Sequence, residues 1–242
     1  MGYAIRTRDL VKQYKDKIAV DGLTLDVNEG ELVALLGVNG AGKTTTVKML
    51  TCLTKPTGGV AEIMGYDIAG DTEKVKRVVG VSPQDTSVAE NLTVRENLKF
   101  MADLYFDKEK ANEAVEKNIK AFELEEFANK KAKLLSGGYK RKLSIAMAVI
   151  GEPKVLFLDE PTLGLDVLAR RQFWREIEVL KKSMTIILTT HYMEEAQALA
   201  DRIVIMSKGK VLAIGTLEEL EAKTGKSGLE DVFVTIAEGV YG

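Results

Sequence analysis

Leu32-Val33-Ala34-Leu35-Leu36-Gly37-Val38-Asn39-Gly40-Ala41-Gly42-Lys43-Thr44 is the stretch whose reading decides the fold. Five apolar residues closed by a glycine have the length of a strand buried on both faces. The next eight residues fit G-x-x-x-x-G-K-[ST], and residues 43–53 read as a helix that Pro56 and Gly58-Gly59 bring to an end. Glycines in such a loop let successive backbone N–H groups turn inward onto an anion, and the helix N-terminus adds the positive end of its dipole. Lys43 supplies a point charge for β- and γ-phosphates, and the Thr44 hydroxyl suits Mg²⁺. A chance glycine turn has no reason to sit between a buried strand and a helix.

Working outward, the first thirty residues read as strands, with Leu23, Leu25 and Val27 alternating with Thr24 and Asp26 before an Asn28-Glu29-Gly30 turn. Shorter strands are expected near 60–64 and 78–82, on either side of a charged segment at 71–77. Residues 88–150 change character. Thr93…Glu96 is a capping-box pattern, residues 108–122 are rich in Lys, Glu and Ala, and a third helix is expected over 139–150. Strand–helix alternation then returns, with strands at 155–158, 185–189 and 203–206 and helices near 167–182 and 193–200. A hairpin follows at Ser207-Lys208-Gly209-Lys210, and capping boxes at Thr216…Glu219 and Ser227…Glu230 open short terminal helices. The pattern is an α/β core with a mainly parallel sheet and a helical insertion.

A second chemical feature closes the strand Val155-Leu156-Phe157-Leu158, which ends in Asp159-Glu160. Carboxylates at the C-terminal edge of a parallel sheet lie where ligands bind. Asp159 suits a direct or indirect Mg²⁺ ligand, and Glu160 suits a base that positions an attacking water.

With Leu135-Ser136-Gly137-Gly138-Tyr139 lying ahead of that strand, the chain resembles the ATP-binding subunits of ABC transporters. The likeness runs through Tyr14, Gln84 in Ser82-Pro83-Gln84, Thr162-Leu163-Gly164-Leu165-Asp166 and His191, and its Gly40-to-Thr46 run and His191-Tyr192-Met193-Glu194-Glu195-Ala196 look most like ABC-2 type exporters. The resemblance implies a P-loop ATPase core over residues 1–84 and 155–215 with an N-terminal antiparallel β subdomain. It implies a helical insertion at 85–154 and a tail at 216–242. It also implies that Tyr14 stacks on adenine, and that Gly37, Val38, Asn39, Gly40, Ala41, Gly42, Lys43, Thr44 and Thr45 hold the phosphates. Thr44, Gln84 and Asp159 would hold Mg²⁺. Glu160, Gln84 and His191 would serve catalysis, and Ser136, Gly137 and Gly138 would face the ATP of a second cassette. Asp166 matches a loop at the dimer interface and equally suits a helix N-cap. Tyr139 departs from the family, which usually has Gln there, and Leu163 stands where a small residue is common.

The partners so implied are a homodimer, or a related cassette, around two Mg-ATP, and a multi-span permease whose cargo is a drug, peptide, polysaccharide or sodium ion. A soluble ABC ATPase acting on ribosomes or DNA is the competing reading. Composition narrows the field: 34 Lys and Arg against 36 Asp and Glu give a net charge of -2 and no global field for nucleic acid, while 45% hydrophobic residues suit a packed core. Lys130-Lys131-Ala132-Lys133 and Lys140-Arg141-Lys142 lack interleaved aromatics and read as solvated helix faces. One cysteine and one histidine exclude an internal disulfide and a His/Cys zinc site. The first residues lack a signal-peptide core, and Arg6 stands where a myristoylation signal wants Ser or Thr. The expected location is cytoplasmic, against the inner face of the membrane through the permease.

Overall fold

A computed structural model describes residues 2–241. The chain opens with two long strands, β1 (Tyr3–Tyr14) and β2 (Lys17–Asn28), then β3 (Leu32–Leu36) and α1 (Lys43–Leu50). Next come β4 (Gly58–Ile63), β5 (Tyr66–Asp67), α2 (Thr72–Val78) and β6 (Val79–Ser82). Helices α3 (Val94–Ala102), α4 (Lys108–Ala121) and α5 (Gly137–Val149) form the insertion. The chain then alternates through β7 (Val155–Asp159), α6 (Val167–Lys181), β8 (Thr185–Thr190), α7 (Met193–Leu199), β9 (Arg202–Ser207) and β10 (Lys210–Gly215). It ends in α8 (Leu217–Thr224) and α9 (Leu229–Tyr241).

Two sheets carry the core. β2-β1-β4-β5 is antiparallel throughout, while β10-β9-β3-β8-β7-β6 is parallel except for its β10 edge. Every residue of β3, β7 and β8 is buried, as strands covered on both faces must be. One apolar cluster fills the space between the sheets around Val47, Met49 and Leu50 of α1; a second lies between the large sheet and the insertion; a third lies under α7, α8 and α9. The P-loop α/β fold expected from the sequence is the one observed.

One helix was not foreseen, and two local expectations need correction. The charged segment 71–77 is mostly helix α2, anchored by buried Val75 on an otherwise solvated turn. The first helix ends at Leu50, short of 53, because Cys52 turns into the left-handed region at φ 59°. Ser227 does not cap α9: the helix begins at Leu229, and the N–H of Gly228, the residue before it, donates to Glu221. The capping boxes at Thr93 and Thr216 are both present.

α5 lies against β6 at backbone contact. A Cβ on Gly80 would fall 2.2 Å from the Ala148 carbonyl oxygen, closer than any side chain can approach. Gly80→Ala is therefore expected to push α5 off the sheet and to cost about 1–3 kcal/mol of stability, read as a lower midpoint in urea denaturation.

Candidate active site

The loop between β3 and α1 meets the ends of β7 and β8 at the C-terminal edge of the large sheet. Gly42, at φ 105°, is the N-cap of α1 and offers no side chain to the first N–H groups of the helix. Any other residue there would be strained, and its Cβ would sit 2.6 Å from the Ala19 carbonyl oxygen. Uncapped N–H groups, a positive dipole end and a lysine make this an anion site.

A cavity of about 440 Å³ stands over that loop. Residues Asn39 to Thr45 form its floor, and Lys17, Ala19, Gln84, Glu160, Leu163 and His191 complete its wall. Lys43 is 6% exposed; its Nζ donates to the Gly37 carbonyl at 2.6 Å and lies 3.2 Å from Glu160 Oε1. The other Glu160 oxygen meets His191 Nδ1 at 2.7 Å. Glu160 is a non-glycine residue at φ 49°, held there by its N–H, which is shared between the Thr189 carbonyl and hydroxyl, each at 3.1 Å. Next to it, Asp159 accepts from the Thr44 hydroxyl at 3.2 Å and from the Thr189 hydroxyl. A buried lysine, a carboxylate and an imidazole thus converge on one polar cavity.

A sequence profile described as ABC transporter matches residues 20–163, which span this loop and the carboxylate pair. The chain belongs to the ABC transporter family. The cassette is 42% identical over 228 residues to the daunorubicin/doxorubicin resistance ATP-binding protein DrrA of Streptomyces peucetius, covering 93% of this chain and 69% of that protein. It is 45% identical over 212 residues to the phospholipid-transporting ATPase ABCA3 of Homo sapiens, covering 87% of this chain but spanning only 12% of ABCA3. An ATP-binding subunit of an ABC transporter superposes with a TM-score of 0.87 at 32% identity, over 97% of this chain and 99% of that one. A dimeric post-hydrolysis structure of the cassette MJ0796 bound to ADP and Pi gives 0.81 at 27%, over 88% and 98%.

Not every residue singled out in the sequence reaches the cavity of the ABC cassette. Gly37 is buried and Val38 faces solvent, neither lining the cavity, and Asp159 stands behind Thr44. Tyr14 ends β1, half exposed beneath the Lys12 ammonium, and its hairpin partner Lys17 takes the place on the wall. Ser136 caps α5, and with Gly138 it borders a separate cavity of about 150 Å³ beside Leu165 and Phe173. Tyr139 packs its ring on Phe127, 4.2 Å between centres. Asp166 caps α6 through the N–H groups of Leu168 and Ala169.

Lys17, Ala19, Thr189 and Glu195 were not anticipated. The apolar-to-Thr189-Thr190-His191 transition was the available signal for Thr189; nothing in the sequence points to the others. The Lys140-Arg141-Lys142 face is also not solvated, since Arg141 and Lys142 are 5% and 8% exposed and Lys142 pairs with Glu176 at 2.7 Å.

Glu195, fully buried, accepts from Trp174 Nε1 at 3.2 Å and lies beside the Thr162 and Thr190 hydroxyls. Burial raises its pKa above the ordinary carboxylate value; Thr190, Thr162 and Trp174 pull the other way, and the Glu160 charge adds to the rise. The native state therefore favours the protonated acid, so the stability this group contributes is complete at pH below the ordinary carboxylate range of about 4 and is lost as pH rises through the raised value. Glu195→Gln removes that titration. Thermal melts from pH 4 to 8 should show the variant gaining on the wild type as pH rises.

Proposed function

We propose that this chain is the ATP-hydrolysing subunit of an exporter, working as a pair of cassettes around two ATP molecules and driving a separate membrane subunit. The observation that carries the reading is the meeting of Lys43, Glu160 and His191 over the uncapped start of α1. The loop N–H groups and Lys43 would hold the β- and γ-phosphates. Glu160, aimed by His191 and fixed by Thr189, would orient a water for in-line attack on the γ-phosphorus as its bond to the β-phosphate oxygen breaks. The ordered wall of Gln84 and His191 limits the geometries that water can take. Tyr14, half exposed at the tip of the β1–β2 hairpin, would stack on adenine from outside the cavity wall.

A Mg²⁺ ion fits as a companion of the nucleotide. Among the described residues no cluster of three His, Cys, Asp or Glu could cage a metal alone, whereas the Thr44 hydroxyl beside Asp159, with Gln84 on the wall, supplies the one or two hard oxygen ligands that Mg²⁺ takes alongside phosphates. When bound, it would neutralise charge on the phosphate oxygens.

Pairing is supported by the separation of the two motifs. Ser136 and Gly138 do not border the cavity that holds Lys43, so a second cassette would supply them. Dimeric cassettes occur among the solved relatives. A permease is supported by a mainly apolar groove of about 340 Å³ between Leu53, Pro83, Met101, Tyr105 and Met147, flanked by exposed Phe100 and Leu104. No described helix is long and apolar enough to cross a membrane, so such a channel would come from another chain or segment. The names of DrrA and ABCA3 favour a drug or a lipid as cargo over a sodium ion.

Glu160→Gln keeps the shape of the site and removes the charge. In Mg-ATP it is expected to elute as a dimer and to hydrolyse ATP at least about a hundredfold more slowly than wild type. A monomer at saturating Mg-ATP, read by size-exclusion chromatography with light scattering, would sink the paired-cassette reading.

A further inference from the structure

The helix that begins at Ser136-Gly137-Gly138 grips the segment that carries Gln84. Three contacts stand on one face of α5, at residues 141, 144 and 148, each about a turn from the next. Ala148 meets Gly80 backbone to backbone, Ser144 Oγ and Ser82 Oγ share a buried hydrogen bond of 2.9 Å, and Arg141 donates from Nη1 to the Pro83 carbonyl and from Nη2 to the Gln84 carbonyl, both at 2.6 Å. The first two contacts fall on β6. Arg141 alone reaches past the strand to the loop whose next side chain lines the cavity.

We propose that Arg141 is a positioning residue: its guanidinium fork fixes Gln84 in the cavity wall, so that Gln84 and the Ser136-Gly137-Gly138 turn of the same chain move as one body. The inference rests on the role given to Gln84 under the proposed function. It says that a displacement of Gln84 in one nucleotide site is delivered through α5 to the turn that completes the other.

The chemistry favours placement over stability as the reason for this charge. Among the described residues no carboxylate pairs directly with Arg141, and Asp85, Asp159 and Glu195 act on it only at longer range. A buried cation satisfied by neutral carbonyls recovers little beyond the cost of its desolvation. Two parallel N–H donors matched to consecutive carbonyls fix an orientation, which a lysine cannot reproduce.

The test is a double-mutant cycle on ATP turnover by the full chain, using Arg141→Lys and Gln84→Ala, with amide hydrogen exchange over residues 84–88 read without nucleotide. Arg141→Lys is expected to lower kcat about tenfold while KM for ATP moves less than about threefold, because the phosphate loop is untouched. It should also speed exchange at 84–88 while leaving residues 40–46 unchanged. In the Gln84→Ala background, Arg141→Lys should cost nothing further. Independent, multiplying losses would mean that Arg141 does not act through Gln84, and unchanged exchange at 84–88 would mean that it does not hold the loop; either result overturns the inference. Faster exchange in a chain that does not hydrolyse ATP would uphold the clamp and overturn the proposed function instead. If Arg141→Lys does not fold, Arg141→Gln, with an uncharged amide donor, carries the same comparisons.

Discussion

The register of three parallel strands is the constraint on which the site depends. Leu36 of β3 pairs with Thr190 of β8, and Asp159 of β7 pairs with Thr189. Gly37, Glu160 and His191 are each the first residue beyond those pairs, so one alignment delivers the phosphate loop, the carboxylate and the imidazole to the same edge. A slip of one residue in β7 would turn Glu160 away and would send the wholly buried Leu156 and Leu158 to the opposite face. The packing of Leu156 and Leu158 on one face and of Val155 and Phe157 on the other, which fixes the register, therefore also fixes the chemistry. Neither could drift without the other.

Much of this was legible because the strands and the loop are local features. Leu32 to Leu36 and Val155 to Leu158 are short apolar runs, and the glycine spacing before Lys43 identifies itself. Glu160 was found because the carboxylate pair closes such a run, and His191 through the family resemblance of the motifs around it. Helix α2 escaped because its seven residues bury one side chain, Val75, and a single buried position gives no period. Ser227 failed for a related reason: the cap pattern was present, but the preceding turn was claimed by the Gly228–Glu221 hydrogen bond, which moved the helix start by one residue.

The larger failure concerned charge. Lys140-Arg141-Lys142 reads as a wet face, since three adjacent cations carry no sign of the carbonyls and carboxylate they meet in the fold. Yet α5 is covered by β6 on one side and by α6 on another, so Arg141 reaches the Pro83 and Gln84 carbonyls while Lys142 reaches Glu176. Burial of a charge depends on partners far along the chain, 57 residues away for Gln84 and 34 for Glu176, and no local pattern reports it. Glu195 is the same problem with the opposite sign. It looks like one more acid on a short helix, and only the fold puts it behind Thr162 and Trp174, where it is fully buried.

These buried charges occupy particular places. Arg141, Lys142 and Glu195 all lie at joins between elements: insertion to core, α5 to α6, and α7 to the segment after Glu160. An apolar residue of similar size would fill each space at lower desolvation cost. It would not, however, fix a loop carbonyl in direction, because apolar contact is indifferent to rotation whereas a hydrogen-bonded fork is not. The apolar clusters hold the layers together, and the polar joins set how those layers are turned against each other. In the paired arrangement proposed for this cassette, that relative orientation would decide whether the two half-sites can meet across the chains.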